Sequence, residues 1–233
     1  MVMARGSALS QVWLTYVLTD LDVPKALTLC FSLKKVFTSR KLAVLVSPNV
    51  SPAMRELVRH AFDFLFSLEE GLNTAGLTNE EFVKVSAFTL KCFGKVAFLE
   101  PTVFAVKNSD DIFDNYQVSS GVLPTEAGQD DIRYIDDDLS IFVAKPCLQV
   151  FQALMNSLKT KTKNGTGVDL KSRFLVTTKL TFNQVEMKYS GKLSETRTAF
   201  LRNESDVSLV NIDIPLEKVV TGNFGFCGKV NTT

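Results

Sequence analysis

Short apolar runs alternate with amphipathic stretches through the first two-thirds of the chain. Runs rich in β-branched and aromatic residues predict three strands, at residues 12–18, 41–46 and 64–66. A fourth run at residues 95–99 is entered through Gly94 and closed by Pro101. A continuous apolar run of this length is typical of an inner strand of a parallel sheet that is covered on both faces.

Helical spacing fills the segments between these runs. Pro24 suits the first position of a helix, and apolar residues spaced three and four apart follow it. A second helix is predicted to open at Ser51-Pro52. Thr78, with Glu81 three residues later, forms the capping box of a third helix. We expect this third helix to continue to Cys92, and Gly94 to end it in a left-handed conformation.

The alternating order of strands and helices predicts an α/β fold with a mostly parallel, twisted sheet and helices on both faces. Residues 139–144 predict a further strand, and Pro146 starts a further helix. The polar residues 115–137 predict a loop over the edge of the sheet, and residues 159–167 a second loop. An alternating pattern follows at residues 174–182.

Composition narrows the class of protein. The chain has 233 residues, of which 45% are apolar, and this is enough to bury a sizeable core. Its formal charge of +1 disfavours a nucleic-acid binder. We expect no membrane association, because no apolar run reaches the roughly 18 residues that a spanning helix needs. The amino terminus lacks the pattern of a signal peptide, and four cysteines lie far apart, so we expect a cytoplasmic protein with reduced thiols.

Glu100 is the first candidate for chemistry, because ligands of open α/β sheets bind beyond the carboxyl ends of the strands. A cluster of acids in the predicted loop is the second candidate: Asp130, Asp131, Asp136, Asp137 and Asp138. They predict either a solvated acidic loop or, together with Glu100, a cation site. The single histidine, His60, falls on the polar side of its helix and is expected to face solvent.

Several segments together carry a resemblance. They include Arg-Lys-Leu-Ala-Val-Leu-Val-Ser-Pro-Asn-Val-Ser at residues 40–51, Lys-Val-Ala-Phe-Leu at 95–99, Asp-Asp-Ile-Phe-Asp at 110–114 and Ile-Phe-Val-Ala-Lys-Pro at 141–146. In order and spacing these segments resemble the glycogenins and their relatives among the family-eight glycosyltransferases. The likeness extends over roughly residues 12–175.

The resemblance implies a fold, an activity and a cofactor. The fold is a GT-A nucleotide-sugar-binding domain, which we place at residues 12–190, followed by a divergent extension at residues 191–233. The activity is glucosyl transfer from UDP-glucose to a tyrosine or a glucan in glycogen priming. The cofactor is a manganese ion, bound in the family by an Asp-x-Asp motif and a late histidine, with oxygen ligands that suit a hard cation.

The same resemblance assigns candidate site residues. The position of Asp-x-Asp reads Glu100-Pro101-Thr102 here, so the metal ligands would be Glu100 and Thr102. The donor-binding residues would be Leu18, Thr19, Asp20, Lys84 and Asp138. Lys84 is interpreted either as a cation for the donor phosphates or as a surface lysine of its helix.

The catalytic residues implied are Asp169 and Tyr189. Asp169 stands two residues from the place of the family's Asp-Gln-Gly motif. Tyr189 is the candidate self-acceptor, and Tyr16, Tyr116 and Tyr134 are weaker ones.

Three functional hypotheses follow. In the first, the chain is an active glucosyltransferase. In the second, it is a catalytically silent relative that binds or regulates a partner. In the third, it is a truncated or aberrantly spliced product whose tail (residues 194–233) packs poorly. The altered metal motif favours the second hypothesis, and the overall resemblance favours the first. Partners would be UDP-glucose, the acceptor, and a second copy of the chain or an active glycogenin.

Overall fold

A computed structural model of the protein describes residues 9–73, 77–113, 133–134, 139–159, 191–192 and 208–211. The strands are β1 (Leu9–Val17), β2 (Lys41–Val46), β3 (Phe64–Ser67), β4 (Phe93–Leu99), β5 (Val103–Ala105), β6 (Arg133–Tyr134), β7 (Ile141–Ala144), β8 (Gly191–Lys192) and β9 (Leu209–Asn211). The α-helices are α1 (Val23–Lys35), α2 (Pro52–Ala61), α3 (Asn79–Ser86) and α4 (Leu148–Lys159). Short 3₁₀ helices lie at Asp20–Asp22, Glu70–Leu72, Ala87–Thr89 and Asp110–Phe113.

Six of the strands form one sheet in the order β3-β2-β1-β4-β7-β6. The pairs β1–β2, β2–β3 and β1–β4 are parallel, whereas β4–β7 and β7–β6 are antiparallel. The predicted α/β class with a mostly parallel sheet is therefore confirmed. The chain moves outward from β1 to β2 and β3 and then returns to the other side of β1 as β4, so the strand order reverses between β1 and β4.

The two faces of the sheet carry separate apolar clusters. On one face, Trp13 and Val17 of β1 lie in a cluster with residues of α1 and α2. On the other face, Leu14 and Tyr16 lie in a cluster with residues of α3 and α4. This division follows from the two-residue period of a strand, because alternate side chains of β1 point to opposite faces. The central strands are covered on both sides, as predicted from their continuous apolar runs.

The third helix is shorter in the structure than its sequence pattern predicts. The capping box is present, since the Thr78 hydroxyl accepts from the Glu81 N–H at 3.2 Å. The helix ends at Ser86, however, and continues only as the 3₁₀ turn Ala87–Thr89. The Ser86 hydroxyl donates to the Phe82 carbonyl at 2.8 Å, a local bond that weakens the regular helical ladder. The predicted extension to Cys92 was wrong.

The role predicted for Gly94 was also wrong. Gly94 lies inside β4, which begins at Phe93, so it does not end a helix.

A second, smaller sheet has the order β5-β9-β8. Strand β9 comes from the predicted carboxyl-terminal extension and pairs antiparallel with β5, which follows β4 closely in the chain. The predicted boundary at residue 190 stays a prediction. Among the described residues, no helix is both long and apolar enough to cross a membrane.

Asp110 anchors the 3₁₀ turn Asp110–Phe113 to the connection between α1 and β2. Its carboxylate accepts from the Ser39 N–H at 2.7 Å, from the Thr38 hydroxyl, and from the Trp13 indole at 3.4 Å. Burial, the largest single influence, raises the pKa of Asp110, but these hydrogen bonds together outweigh it and hold the pKa below its ordinary value. The ionised carboxylate therefore stabilises the folded chain.

We predict that Asp110→Ala lowers the free energy of unfolding by about 1–3 kcal/mol at pH 7, because the N–H and hydroxyl donors lose a charged acceptor. Since the folded pKa is depressed, this contribution is present above the ordinary value of 3.8 and is lost as the pH falls through the folded value. The deficit should shrink between pH 7 and about pH 3. Urea denaturation at the two pH values measures it.

The control for this experiment is Asp111→Ala, which removes an exposed carboxylate from the next position. It should change the free energy of unfolding by less than about 1 kcal/mol, the usual limit for an exposed charge. An Asp110→Ala deficit of the same size at both pH values would contradict the assignment.

Candidate functional site

The candidate site lies at the carboxyl edge of the sheet, between β1 and β4. The strand order reverses at this point, because β1 continues to β2 on one side while β4 returns on the other. In open α/β sheets, such a reversal leaves a crevice between the loops that follow the two strands. Residues 18–22 follow β1, and residues 100–102 follow β4. Five of the sequence-predicted site residues therefore flank one crevice or lie in the loops beside it.

The loop after β1 is closed by Asp22. The Asp22 carboxylate accepts from the Thr19 N–H at 3.0 Å and from the Leu18 N–H at 3.3 Å. It also forms an ion pair with Lys25 at 3.4 Å. Thr19 caps the short 3₁₀ turn that precedes α1. Leu18 and Thr19, both predicted to bind the donor, thus belong to a loop whose main chain is held in one conformation.

Asp20 connects this loop to the start of α2. Its carboxylate accepts from the Ser51 N–H at 2.8 Å, and Ser51 is the residue that caps α2. From the first turns of α2, Arg55 donates to the Ser47 carbonyl at 2.8 Å, just beyond β2. Asp20 was predicted to contact the donor. That role stays a prediction, and the structure shows that Asp20 joins the loop after β1 to the start of α2.

Lys84 and Glu100 form the central contact of the site. The Lys84 ammonium lies 2.7 Å from the Glu100 carboxylate, and the two side chains are only 10% and 21% exposed. Helix α3 supplies the lysine, and the end of β4 supplies the acid. The interpretation of Lys84 as a surface lysine was wrong, because the residue is buried.

The main chain around Glu100 is held on both sides. The Glu100 N–H donates to the Ser140 carbonyl at 2.8 Å, and the Val103 N–H donates to the Glu100 carbonyl at 3.0 Å. The second bond closes a tight turn through Pro101 and Thr102, and Thr102 is half-buried. These two hydrogen bonds fix the backbone of Glu100 and hence the direction of its Cα–Cβ bond.

Tyr16 lies close to this ion pair. Its ring stacks on Phe98 with centroids 5.9 Å apart, and the residue is only 7% exposed. Burial raises the pKa of the Tyr16 phenol, and the carboxylates of Glu100, Glu80 and Asp22 raise it further. The phenol stays protonated at neutral pH. Its burial makes Tyr16 a poor candidate for a sugar acceptor.

Comparisons with known proteins support the resemblance to glycogenin. Glycogenin-1 of the rabbit, Oryctolagus cuniculus, is 27% identical over 155 residues, which cover 63% of this chain and 44% of that protein. Human glycogenin-2 is 27% identical over 154 residues, which cover 62% of this chain and 29% of that protein. The chain resembles glycogenin. The resemblance seen in the sequence is confirmed, although the matched region spans less than half the length of these relatives. No protein-family model matches the chain.

Solved structures confirm the GT-A fold. The galactosyltransferase LgtC, in complex with donor and acceptor sugar analogues, aligns with a TM-score of 0.62 at 8% identity and covers 88% of this chain and 87% of its own. The bifunctional glycosyltransferase WbbM aligns with a TM-score of 0.62 at 10% identity, over 92% of this chain and 47% of its own. At such low identity the likeness establishes the fold.

The divalent metal that the glycogenin resemblance implies does not fit the described residues. The Glu100 carboxylate is already at bonding distance from an ammonium group, and Thr102 offers a hydroxyl, which is a weak ligand. Within the described ranges, no group of three or more His, Cys, Asp or Glu side chains could hold a metal ion. His60 faces solvent, with its side chain 77% exposed and 3.2 Å from Glu56.

Three predicted site residues lie outside the described ranges: Asp138, Asp169 and Tyr189. The other acids of the predicted acidic loop lie outside them too. Their roles stay predictions.

The contact that sequence reasoning missed is the ion pair itself. Lys84 stands in the run Phe82-Val83-Lys84-Val85, and a lysine among apolar neighbours signals a buried ammonium that needs an acidic partner.

We predict that Lys84→Met lowers the free energy of unfolding by about 3 kcal/mol, because it leaves the Glu100 carboxylate without its ammonium in a poorly hydrated place. The value is at the low end for broken buried pairs, since Glu100 keeps 21% exposure. The double variant Lys84→Met/Glu100→Leu should recover most of the loss. Urea denaturation of the three proteins measures the difference.

Lys41→Met is the matched control. The Lys41–Asp63 pair is also 2.7 Å long, but its side chains are 58% and 30% exposed. Its loss should cost less than about 1 kcal/mol. If Lys84→Met and Lys41→Met lower the free energy of unfolding equally, burial of the Lys84–Glu100 pair does not increase its contribution to stability.

Proposed function

We propose that the chain is a glycosyltransferase that binds a UDP-sugar in the crevice between β1 and β4, and that it transfers glucose to a tyrosine or a glucan. The observation that carries the proposal is the place of the Lys84–Glu100 pair. It lies at the end of β4, beside the reversal of strand order where α/β sheets bind nucleotides. The resemblance to glycogenin supports UDP-glucose as the donor and glycogen priming as the process.

The described residues would act on the donor in two ways. The loop of Leu18, Thr19 and Asp20 would form one wall of the nucleotide site, since its main chain is held by Asp22. Lys84 would face the diphosphate. In the transfer, the bond between C1 of glucose and the diphosphate oxygen breaks, a bond from C1 to the acceptor oxygen forms, and UDP leaves with the electron pair. A fixed cation stabilises the charge that develops on that leaving group.

The remaining roles come from the resemblance to glycogenin. Asp138 would bind the donor, Asp169 would lie at the reaction centre, and Tyr189 would accept the first glucose. The acceptor hydroxyl would pass its proton to the departing diphosphate as the new bond forms.

One observation favours a second candidate function. Glu100 neutralises the charge of Lys84, so the pair offers less positive charge to a leaving diphosphate than a divalent ion would. The second candidate is therefore a catalytically silent relative that binds the nucleotide sugar, or a partner such as active glycogenin or a second copy of the chain, without turnover.

We propose the cytoplasm as the compartment. Among the described residues, Cys30, Cys92 and Cys147 are free thiols, which is typical of a reducing environment.

Incubation of the chain with UDP-glucose tests the enzymatic proposal. We predict a series of hexose additions to the intact protein, measured by mass spectrometry, and UDP release when a glucan is added. Tyr189→Phe should abolish the self-additions and retain transfer to the glucan. Lys84→Met should slow UDP release by about a hundredfold, because the leaving group loses a preorganised cation.

The control is Lys41→Met, whose exposed ion pair lies at the opposite, amino end of β2 and which should keep the full rate. Binding of UDP-glucose without hexose addition or UDP release would contradict the enzyme and support the silent relative.

A further inference from the structure

We infer that Lys84 replaces the divalent cation at this site, so that the chain binds a nucleoside diphosphate without metal. Glu100, which stands at the first position of the Asp-x-Asp motif, holds the lysine in place and does not serve as a metal ligand. This inference rests on the proposed nucleotide-sugar function and specifies how the diphosphate is bound.

The short distance between the two side chains is the first argument. A divalent ion bound to Glu100 would lie about 2.0–2.6 Å from a carboxylate oxygen. The Lys84 ammonium already lies 2.7 Å from Oε1 of that carboxylate. A metal ion on the same carboxylate would therefore stand close to a positive charge, and the two cations would repel each other in a partly dehydrated place.

Burial is the second argument. Lys84 projects from a segment of α3 in which every residue from Phe82 to Ser86 is buried. A lysine in such surroundings keeps its charge at low cost only when a carboxylate pairs with it. Moving Glu100 from Lys84 to a metal ion would take a carboxylate away from a buried ammonium and place a second cation beside it. The fold therefore favours the ion pair over a metal complex.

The neighbouring charges give the third argument. Asp22, one of the two acids in the loop across the crevice, is paired with Lys25 at 3.4 Å, and Glu100 is paired with Lys84 at 2.7 Å. Each of these two acids thus forms an ion pair with a nearby lysine. An incoming diphosphate therefore meets two acids whose charges are already offset by lysines, while Asp20, the other acid of that loop, accepts from the Ser51 N–H at 2.8 Å. The Lys25 ammonium reduces the repulsion that an unpaired Asp22 carboxylate would exert on a diphosphate.

Calorimetric titration of the full chain with UDP is the test, once in EDTA and once in Mn²⁺. The inference requires the same dissociation constant in both solutions. Binding that appears only with Mn²⁺ would overturn the inference and leave the proposed function standing. Absence of binding in both solutions would overturn the inference and the proposed function together.

Variants identify the group responsible. Lys84→Met should weaken UDP binding in EDTA by about tenfold to hundredfold, the effect of losing one charged hydrogen bond. Lys41→Met, which breaks an exposed pair of the same 2.7 Å length at the opposite edge of the sheet, should leave binding unchanged. An unchanged affinity for Lys84→Met would overturn the inference.

Glu100→Gln keeps the inference testable if Lys84→Met does not fold, because glutamine retains the size and a hydrogen-bond acceptor for Lys84. If Glu100 only positions Lys84, Glu100→Gln should still bind UDP in EDTA. If Glu100 is a metal ligand, Glu100→Gln should not bind UDP in EDTA. Binding of Mn²⁺ to the chain can be measured from the electron paramagnetic resonance signal of the free ion. If the unaltered chain binds Mn²⁺ and Glu100→Gln does not, the inference is overturned.

Discussion

The parallel pairing of β1 with both β2 and β4 is the constraint on which the rest of the structure depends. It brings the loops that follow β1 and β4 to the same edge of the sheet, and it places the reversal of strand order between them. Both faces of β1 are buried, by α1 and α2 on one side and by α3 and α4 on the other. Because a one-residue slip would exchange the two faces, the register of β1 is strongly specified, and with it the position of the crevice.

The Lys84–Glu100 pair occupies the position that the resemblance to glycogenin marks as a metal site. A carboxylate remains at the end of β4, where the resemblance to glycogenin implies a metal ligand. In this chain its partner is an ammonium group from α3. The pairing conserves local neutrality, which a partly buried carboxylate requires.

Much of the fold follows from local patterns. The apolar run at residues 41–46 predicted β2 at its observed bounds, and Ser51-Pro52 predicted the start of α2. The capping box predicted the start of α3, but not its end, because the Ser86 side chain bonds the main chain one turn back and the helix tightens. Strand β9 pairs with β5 across more than 100 residues of chain, and no local pattern specifies such a partner.

The sequence by itself determined the α/β class, the two-faced burial of the central strands and the candidate residues at the strand ends, because these depend on periodicity and on the order of elements. Only the tertiary structure decided what those residues do for one another. Asp20 joins two loops, Asp22 closes its own, and Lys84 meets Glu100. Whether a carboxylate faces a metal or an ammonium depends on which helix packs over the end of its strand, and that packing is settled by the whole core.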